Sequence, residues 1–249
     1  MDNPILNQIR DRYLLETSLL RLHRQQEENE AALRQAKFDL REAKVAHIEY
    51  GGSFRSFRDK LTGRKEAAEI SLLHAVQKAQ ADLTAAQQKQ EFLNRKIPET
   101  QTQLSSLPDW NVLRQQAEGA ALREWCRLEC LYCTEVLEPL LKVTHELLME
   151  RRSQFNGTYA GQIRTHQELA VIYSAPEAAG EACKPYLLRL KAALDVLEIP
   201  FELYSFFQAP TVFLSSATQY TRMDRINTAI FQTEALLQLI PGLQGALPE

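Results

Sequence analysis

Two heptad frames that run without a slip, separated by a pair of adjacent glycines, constrain this chain more than any other feature. The first runs over residues 5–50, with Ile5, Arg12, Leu19, Gln26, Leu33, Leu40 and His47 at a. Its d positions are Gln8, Leu15, Leu22, Asn29, Ala36, Ala43 and Tyr50. The second runs over residues 72–107, with Val76, Leu83, Gln90, Ile97 and Leu104 at a and Leu72, Ala79, Ala86, Leu93, Thr100 and Leu107 at d. Apolar residues repeating every 3.5 positions over this length specify a coiled coil. Between the frames lies Tyr50-Gly51-Gly52-Ser53. Two successive glycines supply the left-handed conformation that ends a helix, and the chain then has to reverse. The expectation is an antiparallel coiled-coil hairpin over residues 1–107, with its tip at 51–64.

The register follows from the polar interruptions. Asn29 and Gln90 each break an apolar seam, and an antiparallel pairing that sets them face to face lets two amides satisfy one another. The same pairing sets Leu33 on Ala86, Leu40 on Ala79, Ala36 on Leu83 and Ala43 on Val76. Large meets small in each layer, which is how close-packed helices interdigitate. A slip of one heptad would put Asn29 against Leu83 and Gln90 against Leu22, leaving both amides in apolar layers. Leu14, Phe38, Val45, Ile48, Leu73 and Phe92 lie off the seam and require further cover.

Composition agrees with long helices. Only 9 glycines occur in 249 residues, too few for a turn-rich β fold. The net charge of -3 gives no general attraction to nucleic acid. Charge is unevenly placed, with 17 Lys+Arg against 15 Asp+Glu in residues 1–105 and 12 against 17 in the remainder. The N-terminal sequence MDNPILNQIRDRYLLE lacks the apolar core of a secretion signal, and no window approaches the roughly 18 apolar residues of a membrane span. A cytoplasmic location is expected.

Residues 108–249 read as a mainly helical C-terminal region. Pro108 stops the second arm and Asp109 caps a helix from Trp110 to about residue 154. Lys184-Pro185 begins another helix, which Ile199-Pro200 ends, and a last one stops at Pro241-Gly242. Three short apolar runs, 168–173, 201–206 and 211–214, are rich in β-branched or aromatic residues. A small β element within 168–216 is therefore an alternative for that stretch.

Three features bear on function. Cys126-Arg-Leu-Glu-Cys130-Leu-Tyr-Cys133 places three thiols on one helix face, where free cysteine behaves as a small buried hydrophobe. The same spacing resembles the iron–sulfur loop of radical S-adenosylmethionine enzymes, a likeness that implies a cluster held by Cys126, Cys130 and Cys133. A zinc site drawing on Cys183 is the other metal alternative. Fragments between Ala170 and Phe213 (Ala170-Val-Ile-Tyr-Ser-Ala-Pro176, Cys183-Lys-Pro-Tyr186, Leu197 to Leu203 and Ala209-Pro-Thr-Val-Phe213) resemble a glutaredoxin, which implies a thioredoxin-like fold and thiol exchange.

The third feature is the hairpin tip, where residues 53–65 carry five basic side chains and one acid. Phe54, Phe57 and Leu61 fall on one helical face, and Arg55, Arg58, Lys60, Arg64 and Lys65 surround it. Such a surface can engage a protein partner, an anionic membrane or a phosphate backbone. The plainer alternative is that the phenylalanines fold back and seal the end of the coiled coil. No nucleophile elbow, phosphate loop or zinc-protease helix occurs. The expectation is a non-enzymatic interaction or scaffolding protein, homodimeric through its arms, without catalytic residues or cofactor. A peripheral binder of anionic membrane or nucleic acid and a cysteine-based metal or redox protein are the alternatives.

Overall fold

The computed structural model describes residues 3–157, 166–215 and 222–247, and every regular element among them is helical. The chain divides into two compact units. One comprises Leu14–Pro108, and the other joins Met1–Tyr13 to Asp109–Glu249.

Leu14–Pro108 is an antiparallel helical hairpin. Its arms are helix α1 (Pro4–Gly52), from Leu14 onward, and helix α3 (Lys65–Ser105), with the short helix α2 (Phe54–Leu61) between them. The amide pairing read from the sequence is present: Asn29 Nδ2 donates to Gln90 Oε1 and to the Ala86 carbonyl, each at 3.0 Å. Asn29 is buried despite its polarity. On one side of it Ala36, Leu40, Ala79 and Leu83 form a cluster flanked by Leu33, Ala43 and Val76. On the other, Leu22, Leu93 and Ile97 pack together with Leu19. These are the large-on-small layers of the expected register.

The first heptad frame does not hold along its whole length. Ile9, an off-seam residue, is completely buried in the other unit's core, with Ile5 and Tyr13 packed beside it. Their spacing of four defines a different helical face, so residues up to Tyr13 serve the C-terminal unit and not the hairpin expected over 1–107. His47, at a seam position, is exposed. The glycine pair also acts differently from expectation. Gly51 and Gly52 remain in α1, and the left-handed glycine is Gly63, with φ 69°, just before α3.

In the other unit, Asp109 caps α4 (Trp110–Gln116) by accepting from the Asn111 amide at 2.9 Å. Gly119, with φ 54°, then separates α4 from α5 (Ala120–Gly157), where the sequence suggests one continuous helix. Helix α6 (His166–Val196) pairs with α5, and α7 (Ser205–Gln208), α8 (Pro210–Ser215) and α9 (Arg222–Ala246) complete the bundle. Phe206, Phe207, Leu137, Leu141, Leu187, Leu190 and Ile226 centre the core. Gly180 is required where α6 meets α7 and α8, since a Cβ there would lie 2.9 Å from both the Phe206 ring and Pro210.

The β element considered for 168–216 is helical where described. Residues 168–173 lie in α6, 201–204 have no regular structure, and 205–208 and 211–214 lie in α7 and α8. Short apolar runs are ambiguous because a buried helix and a buried strand both look uniformly apolar. The glutaredoxin-like fragments therefore lack the strands such a fold needs. Pro176 and Pro185 lie inside α6, and α9 continues through Pro241, so neither helix has the boundary its proline suggests.

Removing one amide should expose the role of the pair. Asn29→Leu is expected to cost about 1–2 kcal/mol by stranding Gln90. Adding Gln90→Leu should recover that loss or more, since an apolar pair carries no unmet hydrogen bond. Urea unfolding followed by circular dichroism measures both, and a double variant less stable than the single would contradict this account.

Candidate functional site

The hairpin tip is built from the polar side inward. Ser53 caps α2, its hydroxyl accepting from the Ser56 amide at 3.2 Å and donating to the Tyr50 carbonyl at 2.8 Å. Tyr50, the last seam residue of α1, is buried, and its phenol donates to Asp59 Oδ2 at 3.0 Å. Burial, and then the hydrogen bond to Asp59, raise the Tyr50 phenol above its ordinary value. Arg55 and Arg58 flank the same carboxylate, each with its Nε 4.0 Å from an Asp59 oxygen. The tip's single acid thus lies low against the hairpin, while both arginines remain largely in solvent.

This docking orients α2. At about 100° per residue, Ser56 and Asp59 share one side of a helix and Phe57 and Leu61 the opposite side. Ser56 is 4% exposed, whereas Phe57 is 59% and Leu61 74% exposed. The polar face turns inward and the apolar face outward. Of the tip residues singled out in the sequence, Arg55, Phe57, Arg58, Lys60, Leu61 and Arg64 are exposed. Lys65 is half-buried and meets Glu69 at 3.4 Å. The Phe54 side chain lies outside the described residues. The plainer alternative, in which the phenylalanines seal the coiled coil, fails for Phe57, and Tyr50 takes that role.

Sequence reasoning missed Tyr50, Ser56 and Asp59, whose signal is a tyrosine at a terminal seam position followed by an acid within reach of its hydroxyl. It also missed a shallow cavity of about 340 Å³ lined by His47, Tyr50, Gly51, Glu69, Ile70 and Leu73.

The cysteines sit elsewhere. Cys126, Cys130 and Cys133 lie within the continuous helix α5, and together with Cys183 of α6 they are free and fully buried. Burial pushes the Cys126 and Cys183 thiols up to about 11 and the Cys130 thiol up to about 12. Cys133 is raised as well, first by burial and then by neighbouring Glu129. Cys183 also sits 3.6 Å from the Thr144 hydroxyl. Among the described residues no group of His, Cys, Asp and Glu side chains is arranged to hold a metal ion. The helix-face reading describes the placement of these thiols. The loop implied by the radical S-adenosylmethionine likeness does not.

Beside them lies a buried polar cluster. Glu129 accepts from Trp110 Nε1 and from Arg189, whose Nε and Nη2 reach its two oxygens at 2.6 and 3.0 Å. The guanidinium lies over the rings of Tyr132 and Tyr186. Every charge in this cluster is paired internally, so it joins α4, α5 and α6 and offers no open position.

No protein-family model, no curated protein and no solved structure matches this chain.

The thiols give a direct check. Native protein at about pH 8 should leave all four cysteines unreactive toward a disulfide reagent, and denaturant should release all four. Thiols raised in the fold stay protonated after those of the unfolded chain ionise near 9. Their contribution to stability is therefore complete below that pH and is lost as pH rises through 11 to 12. Alkaline melting curves that stay flat over that range would contradict the burial.

Proposed function

We propose that this chain is a non-enzymatic interaction or scaffolding protein that uses its hairpin as a rigid coiled-coil arm and works as a homodimer. The observation that carries this reading is the arm's own surface. Leu14, Phe38, Val45, Ile48, Leu73 and Phe92 are all exposed although the seam layers on either side of Asn29 are packed. Burying a large apolar side chain is worth roughly 1.5–3 kcal/mol, so six left in water forgo on the order of 10 kcal/mol. Phe38 and Val45 are seven residues apart on the outer side of α1, which makes them a stripe that a second helix can cover. A second copy related by a two-fold axis supplies that helix without further sequence.

The polar chemistry supports the non-enzymatic part of the reading. Glu129 and Arg189 neutralise one another in the core, the thiols are held protonated, and the tip cations stand in solvent. Four free, buried thiols suit a reducing compartment, and on that ground we assign the protein to the cytoplasm. No described helix is long and apolar enough to cross a membrane.

Sedimentation equilibrium at micromolar concentration should return twice the 28.5 kDa chain mass. Phe38→Glu combined with Val45→Glu should shift the protein to monomer while leaving its helical circular dichroism unchanged. A wild-type monomer would overturn the self-association.

A further inference from the structure

The arm's apolar exposure is not spread evenly. Among the described residues of 14–108, nine large apolar side chains are exposed, and six of them fall between Val45 and Leu73, in the third of the hairpin nearest its tip. Two of these, Phe57 and Leu61, are on α2, the helix whose polar side is turned inward. A helix of this amphipathicity ordinarily buries the opposite face. Here the buried Ser56 and the hydrogen bond from Tyr50 to Asp59 hold it the other way round. Beside that apolar face stand Arg55, Arg58, Lys60 and Arg64, all exposed, while the tip's single acid, Asp59, is drawn underneath and partly offsets only Arg55 and Arg58, each at 4.0 Å.

We propose that the hairpin tip is a docking site for an anionic lipid bilayer, with Phe57 and Leu61 entering the acyl boundary and the surrounding cations meeting the headgroups. Three observations favour a bilayer over other occupants. The helix has 8 residues. That is roughly 12 Å of length, too little on its own to supply the ~800 Å² per partner of a stable protein interface. A bilayer needs no such matched area, because insertion of a few apolar groups and attraction to anionic lipid add independently. A nucleic acid would satisfy the cations but leave Leu61 in water. A second copy pairing tip to tip would bring like charges together. Val45, Ile48 and Leu73 figure in both readings, so the two are separated by substitution: Phe57 and Leu61 for the bilayer, Phe38 and Val45 for the dimer.

The test is flotation of the full-length protein with vesicles of phosphatidylcholine, with and without phosphatidylserine. Circular dichroism verifies the fold of each variant. The protein should float with phosphatidylserine vesicles and lose that binding in elevated salt. Phe57→Ser with Leu61→Ser should weaken binding on the order of tenfold or more, and Arg58→Glu with Lys60→Glu should do the same. Failure to float overturns the proposal. So does flotation that the Phe57/Leu61 variant leaves unchanged, because the cations would then act without the wedge. Binding of a duplex oligonucleotide in preference to the vesicles, read by fluorescence anisotropy, would assign the cations to phosphate backbone and also overturn it. Because the wild-type oligomeric state is read separately, loss of lipid binding and loss of the dimer are distinguishable.

Discussion

Asn29 interrupts a seam whose neighbouring layers are built largely of leucine and alanine, and its amide must find partners in a layer about one side chain thick. Only one alignment of the arms provides them: Gln90 and the Ala86 carbonyl accept its two protons, and Gln90 passes the network outward to Asn94 at 3.0 Å. A slip of one heptad would displace α3 by roughly 10 Å and bury an amide against leucine, costing about 1–3 kcal/mol for each group left unmet. The leucine–alanine layers alone are less discriminating, because heptads repeat. The amide pair selects among registers that hydrophobicity leaves nearly equal, and the register in turn decides which ends of α1 and α3 the helix α2 has to connect.

The bundle uses a comparable device. Glu129 is buried, and removing a carboxylate from water is costly unless all its oxygens are met. Arg189 meets both oxygens and the Trp110 indole meets one, so three helices are committed to a single arrangement. Trp125 reinforces it by donating to the Trp110 carbonyl at 3.2 Å and packing against that ring. Apolar burial supplies most of the driving force in both units, and one satisfied polar group in each selects the geometry.

What could be read from the sequence follows from where the deciding partner lies. The hairpin register was legible because Asn29 and Gln90 are both visible as interruptions of a periodic pattern, and each constrains the other. The role of residues 4–13 was not, because Ile5, Ile9 and Tyr13 make a face that means nothing until the C-terminal core is known. The extent of α6 was hidden by Pro176 and Pro185, which look like boundaries yet are accommodated inside it. The burial of Cys126, Cys130 and Cys133 was legible from their helical spacing. At the tip, the residue types and the two turns of helix could be read. Their orientation could not, because it reverses the usual preference and depends on one hydrogen bond from Tyr50 to Asp59.

That reversal sets the tip apart from a simple turn. A hairpin end needs only a tight turn, and Gly63 alone would provide the left-handed residue for one. Instead the chain spends an additional helix, caps it with Ser53, and anchors it through its polar side, an arrangement that leaves Phe57 and Leu61 outside. Turning α2 over would bury those two side chains against the end of the seam, but it would also leave the Tyr50 phenol without its acceptor and expose the carboxylate that Arg55 and Arg58 now partly neutralise. The inward hydrogen bond and the outward apolar face are therefore two consequences of one packing choice. If the tip docks on a bilayer as proposed, its surface is already ordered, and binding need not include the entropic cost of ordering it.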